Sequence, residues 1–496
     1  MNKRIKYFLL VLPLTFLSCI NGKVTTDEQS SEQLPNIVYI LCDDAGWGDL
    51  SCYGQKKFST PNIDALAQRG MKFTDHYAGS SVCSPSRATL FTGLHTGHAP
   101  IRGNKEVFPE GQHPLPKKAY TITRLLKEKG YVTGMFGKWG LGYPHSEGAP
   151  NAQGFDEFFG YNCQRLAHTY FPMYLRHNGE KVLLDENYND AKNEYAHSLI
   201  HQKALEFIDK QNEETPFFLY LPYTIPHAEM LVPNDTIFER FKQQYTGTPF
   251  LDKKNSDENW NQEKRFIHGV YGDQEYPRAA FAAMMTYLDR SVGDIMKKLQ
   301  DKGLEENTIV MFSSDNGPHI EGGADPYFFN SFGPFRGVKR DLYEGGIRVP
   351  MIVSWKGKIK EGSETNHPSA FWDVLPTIAE LTKATIPEGH KIDGISFLPT
   401  LLGKENQKEH NYLYWEFHGA GGRVATRFDH WKGVQYQLNQ PNISKVELYD
   451  LSKDSKEENN VADQYPEIVE KVRVIFENAR TKNSDFKLPG ENVLLN

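Results

Sequence analysis

The run Asn36-Ile-Val-Tyr-Ile-Leu-Cys42 places no charged side chain between its ends. A strand with one wet face alternates polar and apolar residues, whereas one that stays apolar is buried on both faces. The segments that follow keep to that demand. Residues 62–69 and 121–129 read as helices, stopped by Gly70 and Gly130, and 131–137 reads as a strand. Residues 194–210 have helical apolar spacing through Ala196, Leu199, Ile200, Ala204, Phe207 and Ile208. Further strands are expected at 216–223, 308–313 and 349–355, and further helices at 279–301 and 371–383. Strands alternating with helices predict an α/β fold, a large mostly parallel sheet flanked by helices on both faces.

From about residue 411 the pattern changes to short strands at 412–417, 423–428, 433–438 and 445–451, then a helix over 466–480. That order predicts a smaller α+β C-terminal domain. The expected division is a signal peptide over 1–18, a tether over 19–34, a large α/β domain over 35–405 and the C-terminal subdomain over 406–496. Residues 239–276 are polar and irregular, and read as an insertion or lid.

Lys3, Arg4 and Lys6 precede an apolar run, residues 7–17, broken by Pro13 and too short to span a bilayer. It ends in Ser18-Cys19, which resembles a bacterial lipobox with Cys19 as the lipidated mature N-terminus. An ordinary signal peptide with an incidental cysteine is the other reading, and both mean export. The expectation is a periplasmic or cell-surface lipoprotein of a Gram-negative bacterium, touching membrane only through Cys19. Lys and Arg total 56 against 63 Asp and Glu, a net charge of −7, with no long basic run. Such a chain is a poor nucleic-acid binder. The remaining cysteines, Cys42, Cys52, Cys83 and Cys163, form neither a disulfide framework nor a zinc spacing.

Open parallel sheets bind ligands beyond the carboxyl ends of their strands. Those ends here carry Asp43-Asp44, Lys138, His227 and Asp315-Asn316. One Asp after a strand is usually a helix cap, but four such ends together argue for function. Asp43, Asp44, Asp315 and Asn316 offer only hard oxygens, which suit Ca²⁺ or Mg²⁺. Arg87, Lys138 and Lys339 would balance the carboxylates, and cations around a metal mark a phosphate or sulfate substrate. Cys83 opens a helix, with Pro85 in its first turn, where free N–H groups favour an anion.

The string Cys83-Ser84-Pro85-Ser86-Arg87-Ala88-Thr89-Leu90-Phe91-Thr92-Gly93 resembles the signature of the formylglycine-dependent type I sulfatases, arylsulfatase-like members of the alkaline phosphatase superfamily. The resemblance runs on through Gly137-Lys138-Trp139, Pro226-His227, Ser314-Asp315-Asn316-Gly317 and Arg336-Gly337-Val338-Lys339. Glu344 to Pro350 and Leu448-Tyr449-Asp450-Leu451 are also similar. It implies that a maturase oxidises Cys83 to formylglycine, and that Asp43, Asp44, Cys83, Asp315 and Asn316 hold one Ca²⁺. Arg87 would orient the formylglycine, Lys138 and Lys339 would bind sulfate oxygens, and His227 would face the ester oxygen. One hydroxyl of the hydrated aldehyde would attack sulfur, and deprotonation of the other would expel sulfate.

One position departs from the family pattern. The family commonly has His after Lys-Trp, and here the residue is Gly140. His76, His95, His98 and His145 are candidates to replace it. His98, Arg102, Asn104, His418 and Arg423 are candidate substrate contacts. The implied activity is exo-acting desulfation of saccharides, with galactose or N-acetylgalactosamine sulfates expected. Two alternatives are a phosphodiesterase or phosphonate hydrolase of the same superfamily and a non-catalytic glycan-binding lipoprotein.

Overall fold

The computed structural model describes residues 33–251, 271–440, 442 and 444–490. The signal-peptide segment, Cys19 and most of the tether lie outside the described residues, as do 252–270 of the expected insertion. No described helix is long and apolar enough to cross a membrane.

In chain order the strands are β1 (Asn36–Asp43), β2 (Met71–Phe73), β3 (His76–Tyr77), β4 (Val132–Lys138), β5 (Glu157–Tyr161), β6 (Tyr174–His177), β7 (Glu180–Leu183) and β8 (Phe217–Pro226). They continue as β9 (Thr308–Ser314), β10 (Met351–Ser354), β11 (Ser363–Thr365), β12 (Ser369–Ala370), β13 (Leu413–Phe417), β14 (Arg423–Phe428), β15 (Trp431–Tyr436) and β16 (Val446–Asp450). Ten of them form one sheet in the order β11-β2-β10-β9-β1-β8-β4-β5-β6-β7. Its centre, β9-β1-β8-β4-β5, is parallel throughout. Every residue of β1, β8 and β9 is buried, as their apolar runs demand.

The expected strand near 349–355 is present, but it runs antiparallel to β9. The chain between them stays at the carboxyl end of β9, so the next strand must return in the opposite sense; a parallel neighbour would need a crossover. The segment expected to be irregular from residue 239 begins inside a helix, Thr236–Gln244. Its start is fixed by Asp235, whose carboxylate accepts from the amides of Ile237 and Phe238 at 2.9 and 3.1 Å.

Strands β13 to β16 form a separate antiparallel sheet. The helix Pro466–Asn478 lies on one face, and it crosses at Gly433, where a Cβ would come within 2.6 Å of the Val472 methyls. The other face packs Trp415, Phe417, Ala425 and Val434 against Tyr77, Val82, Leu342 and Trp372. The C-terminal sheet therefore shares a core with the small β3-β12 sheet and the loops around it. A buried ion cluster crosses the same boundary. The Glu344 carboxylate accepts from Lys432 Nζ at 2.7 Å and from the Tyr77 hydroxyl at 2.6 Å, with both charged side chains fully buried.

Removing one member of a buried pair leaves an uncompensated charge, at a cost of about 3–5 kcal/mol. Lys432→Ala should therefore lower the denaturation midpoint strongly in a urea titration followed by tryptophan fluorescence. The double change Lys432→Met/Glu344→Gln should recover at least half of the loss. Equal destabilisation in both variants would show that the ion pair is not what holds this boundary.

Candidate active site

Four strand ends converge on one point. β1 ends at Asp43, with Asp44 next; β4 ends at Lys138; β8 ends just before His227; β9 ends just before Asp315 and Asn316. The helix Cys83–Thr92 aims its first residue at the same point. Asp44 sits in left-handed backbone, φ 66°, so that two successive carboxylates from one strand reach the same space. Its amide donates to Asp315 Oδ1 at 3.1 Å.

Asp43 is the hub. Its carboxylate takes Lys138 Nζ at 2.5 Å, an Arg87 guanidinium nitrogen at 3.2 Å and, at 3.4 Å, the Cys83 thiol. Arg87 also bonds Asp315 at 2.9 and 3.2 Å and donates to the Lys138 carbonyl. Asp44 receives Lys339 Nζ at 2.6 Å and the Asn316 amide at 2.6 Å, and His227 Nε2 lies 3.4 Å from it. All these side chains are buried.

Burial alone would protonate the carboxyls. At Asp43 that push is overcome by Lys138, Arg87 and Lys339, which hold it ionised well below the usual carboxylate range. Asp315 is pushed up to about 7 by burial and by the charge on Asp43, despite Arg87. Burial and Asp43 raise the Cys83 thiol far above its ordinary range. An unmodified Cys83 is thus no thiolate nucleophile at neutral pH. Burial and Lys339 keep the His227 imidazole neutral.

The residues fit a hard divalent cation. Ligand atoms of Asp43, Asp44, Cys83 and His227 all lie within 4.8 Å of one another. Asn316 Oδ1 is buried with no hydrogen-bond partner, an orphan that an ion would satisfy. Three carboxylates balance Arg87, Lys138 and Lys339, so a dication would leave an excess positive charge suited to an anionic ester.

Gly140 has φ +81°, and a Cβ there would stand 2.9 Å from Nε2 of Gln164. That Gln164 amide donates to the Ser84 hydroxyl, which in turn donates to the Gly140 carbonyl at 2.9 Å. The space beside the Cys83 helix that a side chain at 140 would fill is therefore taken by Gln164, from the loop after β5. None of the four histidines considered as replacements joins the site. His76 bonds Ser369 Oγ at 2.9 Å, His95 and His98 stack at 4.6 Å beside Asp393, and His145 packs near Gly179. Instead His168 and His319 flank His227, with ring centroids 5.0 and 5.4 Å away. His319, two residues beyond Asn316-Gly317, could have been suspected from its place after β9. His168 lies in a stretch with no sequence signal.

The candidate substrate contacts divide. Asn104 and His418 line a cavity of about 470 Å³ that reaches Val82, the neighbour of Cys83, and also touches Lys105 and Arg340. Arg102 does not join them; its buried guanidinium bonds Glu416 at 3.2 Å and the Thr481 carbonyl at 2.7 Å, so it holds the C-terminal part in place. Arg423 is spent on Asp341 at 2.7 Å and on the Arg340 carbonyl at 2.6 Å. His98 faces Asp393 at 2.9 Å, beyond the far end of the Cys83 helix.

A parallel sheet with a hard-oxygen cluster, a buried residue at a helix N-terminus and two buried lysines defines a hydrolase of anionic esters. Residues 35–384 match the family described as Sulfatase, and 333–482 match N-sulphoglucosamine sulphohydrolase, C-terminal. The chain is 33% identical to N-acetylgalactosamine-6-O-sulfatase of Bacteroides thetaiotaomicron over 97% of this chain and 100% of that protein. It is 33% identical to N-acetylgalactosamine-6-sulfatase of Homo sapiens over 75% and 66%. The crystal structure of Ps i-CgsB matches with TM-score 0.73 at 28% identity, over 93% of this chain and 97% of that one. A phosphonate monoester hydrolase of Agrobacterium radiobacter, at 20% identity and TM-score 0.61, shares the fold. The chain belongs to the sulfatase family and is a sulfuric ester hydrolase.

A side chain at Gly140 must adopt left-handed backbone, at about 1–2 kcal/mol, and displace Gln164. Gly140→Ala should lose about that much stability in thermal melts while keeping measurable turnover of an aryl sulfate. Gly140→His should not raise the rate. A large gain in kcat for Gly140→His would mean that Gln164 yields and that the site lacks a base.

Proposed function

We propose that the chain removes sulfate from 6-O-sulfated N-acetylgalactosamine or galactose at saccharide ends, with Cys83 present as formylglycine and one Ca²⁺ bound. The observation that carries this reading is the placement of Cys83 between Asp43 and Lys138, whose Nζ lies 3.6 Å from Sγ. The sugar is suggested by the name of the Bacteroides thetaiotaomicron relative, which aligns over its whole length. A complex of Ps i-CgsB with k-i-k-neocarrahexaose supports a saccharide in the same fold, at 27% identity and TM-score 0.73.

Asp43, Asp44, Asp315, Asn316 and residue 83 would hold the ion, which supplies Lewis acidity to the nucleophile and the sulfate. Formylglycine supplies a recyclable hydrated aldehyde, where a plain serine would remain as its sulfate ester. Arg87 fixes Asp43, Asp315 and the end of β4 as one unit. Lys138 and Lys339 carry buried charge to the sulfate oxygens. The Nδ1–H of His227 is held by the Ala228 carbonyl, which turns the bare Nε2 toward the site; it serves the leaving alcohol as proton donor only in the imidazolium form, after taking up a proton. Asn104 and His418, in the adjoining cavity, are positioned to meet the sugar. Cys83 is only 1% exposed, so the maturase must act on the chain before it folds, and we place that step before export under the signal of residues 1–18.

Co-expression with a maturase should convert Cys83, seen by peptide mass spectrometry as sulfur replaced by oxygen with loss of two hydrogens. A purely thiol Cys83 in fully active enzyme would sink the mechanism. Asp315→Ala removes an ionic ligand and a partner of Arg87, and should lower kcat/KM by about a thousandfold or more. Far-ultraviolet circular dichroism should remain unchanged. Strong chelation of the wild type should abolish turnover, and calcium should restore it. Full activity in a verified metal-free sample would remove the ion from the scheme.

A further inference from the structure

A cavity of about 320 Å³ opens where the Cys83 helix ends, and the mechanism does not use it. Cys83 and Thr92, which lines the cavity, are the two ends of one ten-residue helix, a rise of about 13.5 Å apart. Its volume is of the size that holds a small ligand. One wall is Tyr120, 8% exposed, with its ring 5.1 Å from that of His390 and its hydroxyl tied to Glu128 at 2.9 Å. Pro116 extends this apolar surface. The polar lining is basic: Lys118, Lys391, His98 and His390, with no carboxylate among the lining residues. Neither lysine has an acidic partner among the described residues.

The cavity is built rather than incidental. Asp393, beside Ile392 of the lining, donates its amide to the Gly93 carbonyl at 2.8 Å and accepts from the His95 amide at 3.0 Å. Its carboxylate also receives His98 Nδ1 at 2.9 Å. The nearest carboxylate is thus consumed in fixing His98, and the helix-terminal carbonyl of Gly93 is capped. What remains for a ligand is the Tyr120–His390 ring pair, tilted by 30°, beside two exposed ammonium groups. That combination suits a sugar ring bearing a sulfate, with the ring on Tyr120 and His390 and the sulfate on Lys118 and Lys391.

We propose that this cavity is a second saccharide site, which binds a sulfated sugar unit remote from the ester being cleaved. The identity of the ligand rests on reading the chain as a saccharide sulfatase. Calorimetric titration of the Cys83→Ala variant with 6-O-sulfo-N-acetylgalactosamine should show two sites per chain. Adding Lys118→Ala/Lys391→Ala should leave one, with binding at the other weakened about tenfold or more. In the maturase-treated enzyme the two lysine changes should leave turnover of nitrophenyl sulfate unaltered. A single site in the parent, or two undiminished sites in the triple variant, overturns the proposal. If equimolar inorganic sulfate displaces the sugar from the second site, the cavity holds a free anion and the saccharide assignment falls. Failure of the wild type to hydrolyse any sulfated saccharide would refute the functional reading separately, because the stoichiometry is measured without turnover.

Discussion

Asp43 is a carboxylate with no access to water, and the arrangement around it is the means of keeping it charged. An isolated ion in such a place would neutralise itself. Lys138 and Arg87 prevent this, and each comes from a different element: the end of β4 and the first turns of the Cys83 helix. The same Arg87 binds Asp315, at the end of β9, and the Lys138 carbonyl. Three strands and one helix are therefore clamped by one ionic network. The network can exist only at the carboxyl end of a parallel sheet, where strand ends of like polarity meet without crossing the core.

Much of this was legible in the sequence because it is local. Unbroken apolar runs marked β1, β8 and β9, and polar residues just past each run marked the site. The reversal of β10 was not legible, since its sense depends on where the long connection after β9 travels. The partners of Arg102 and Arg423 were not legible for a related reason. Each is a basic residue in a plausible stretch, but its partner, Glu416 or Asp341, lies far away in sequence. A buried arginine bonded to a carboxylate cannot be told from a free one until the fold brings the partner up. Asn104 and His418 look no different as letters, yet they line the cavity next to Val82.

Gly140 shows how a family pattern can change without emptying a site. Its backbone is left-handed, which favours glycine, and the Gln164 amide occupies the direction a side chain would take. Gln164 arrives from the loop after β5, whose register against β4 pairs Lys138 with Tyr161. Three residues beyond Tyr161 the chain is beside Ser84. The loss at 140 and the presence of Gln164 are therefore two sides of one packing arrangement, and neither can be understood alone.

The C-terminal sheet adds the last constraint. Its shared core with the catalytic part, through Trp415 against Tyr77 and Trp372, fixes where β13 ends. His418 follows directly on that end and is held by Glu416, whose other oxygen bonds Arg480. Glu416 also takes Arg102, which hangs from the chain just after the Cys83 helix. One buried carboxylate thus ties the sheet that presents His418 to the segment that presents Asn104. Arg423 acts likewise on the opposite wall, gripping the carbonyl of Arg340 next to Lys339, whose ammonium bonds Asp44. The two arginines thus brace the walls of the cavity through carboxylates and carbonyls distant in sequence. The strand ends hold the charged cluster and the C-terminal sheet holds one wall of the cavity beside it, so the two parts of the site are fixed by different elements of one fold.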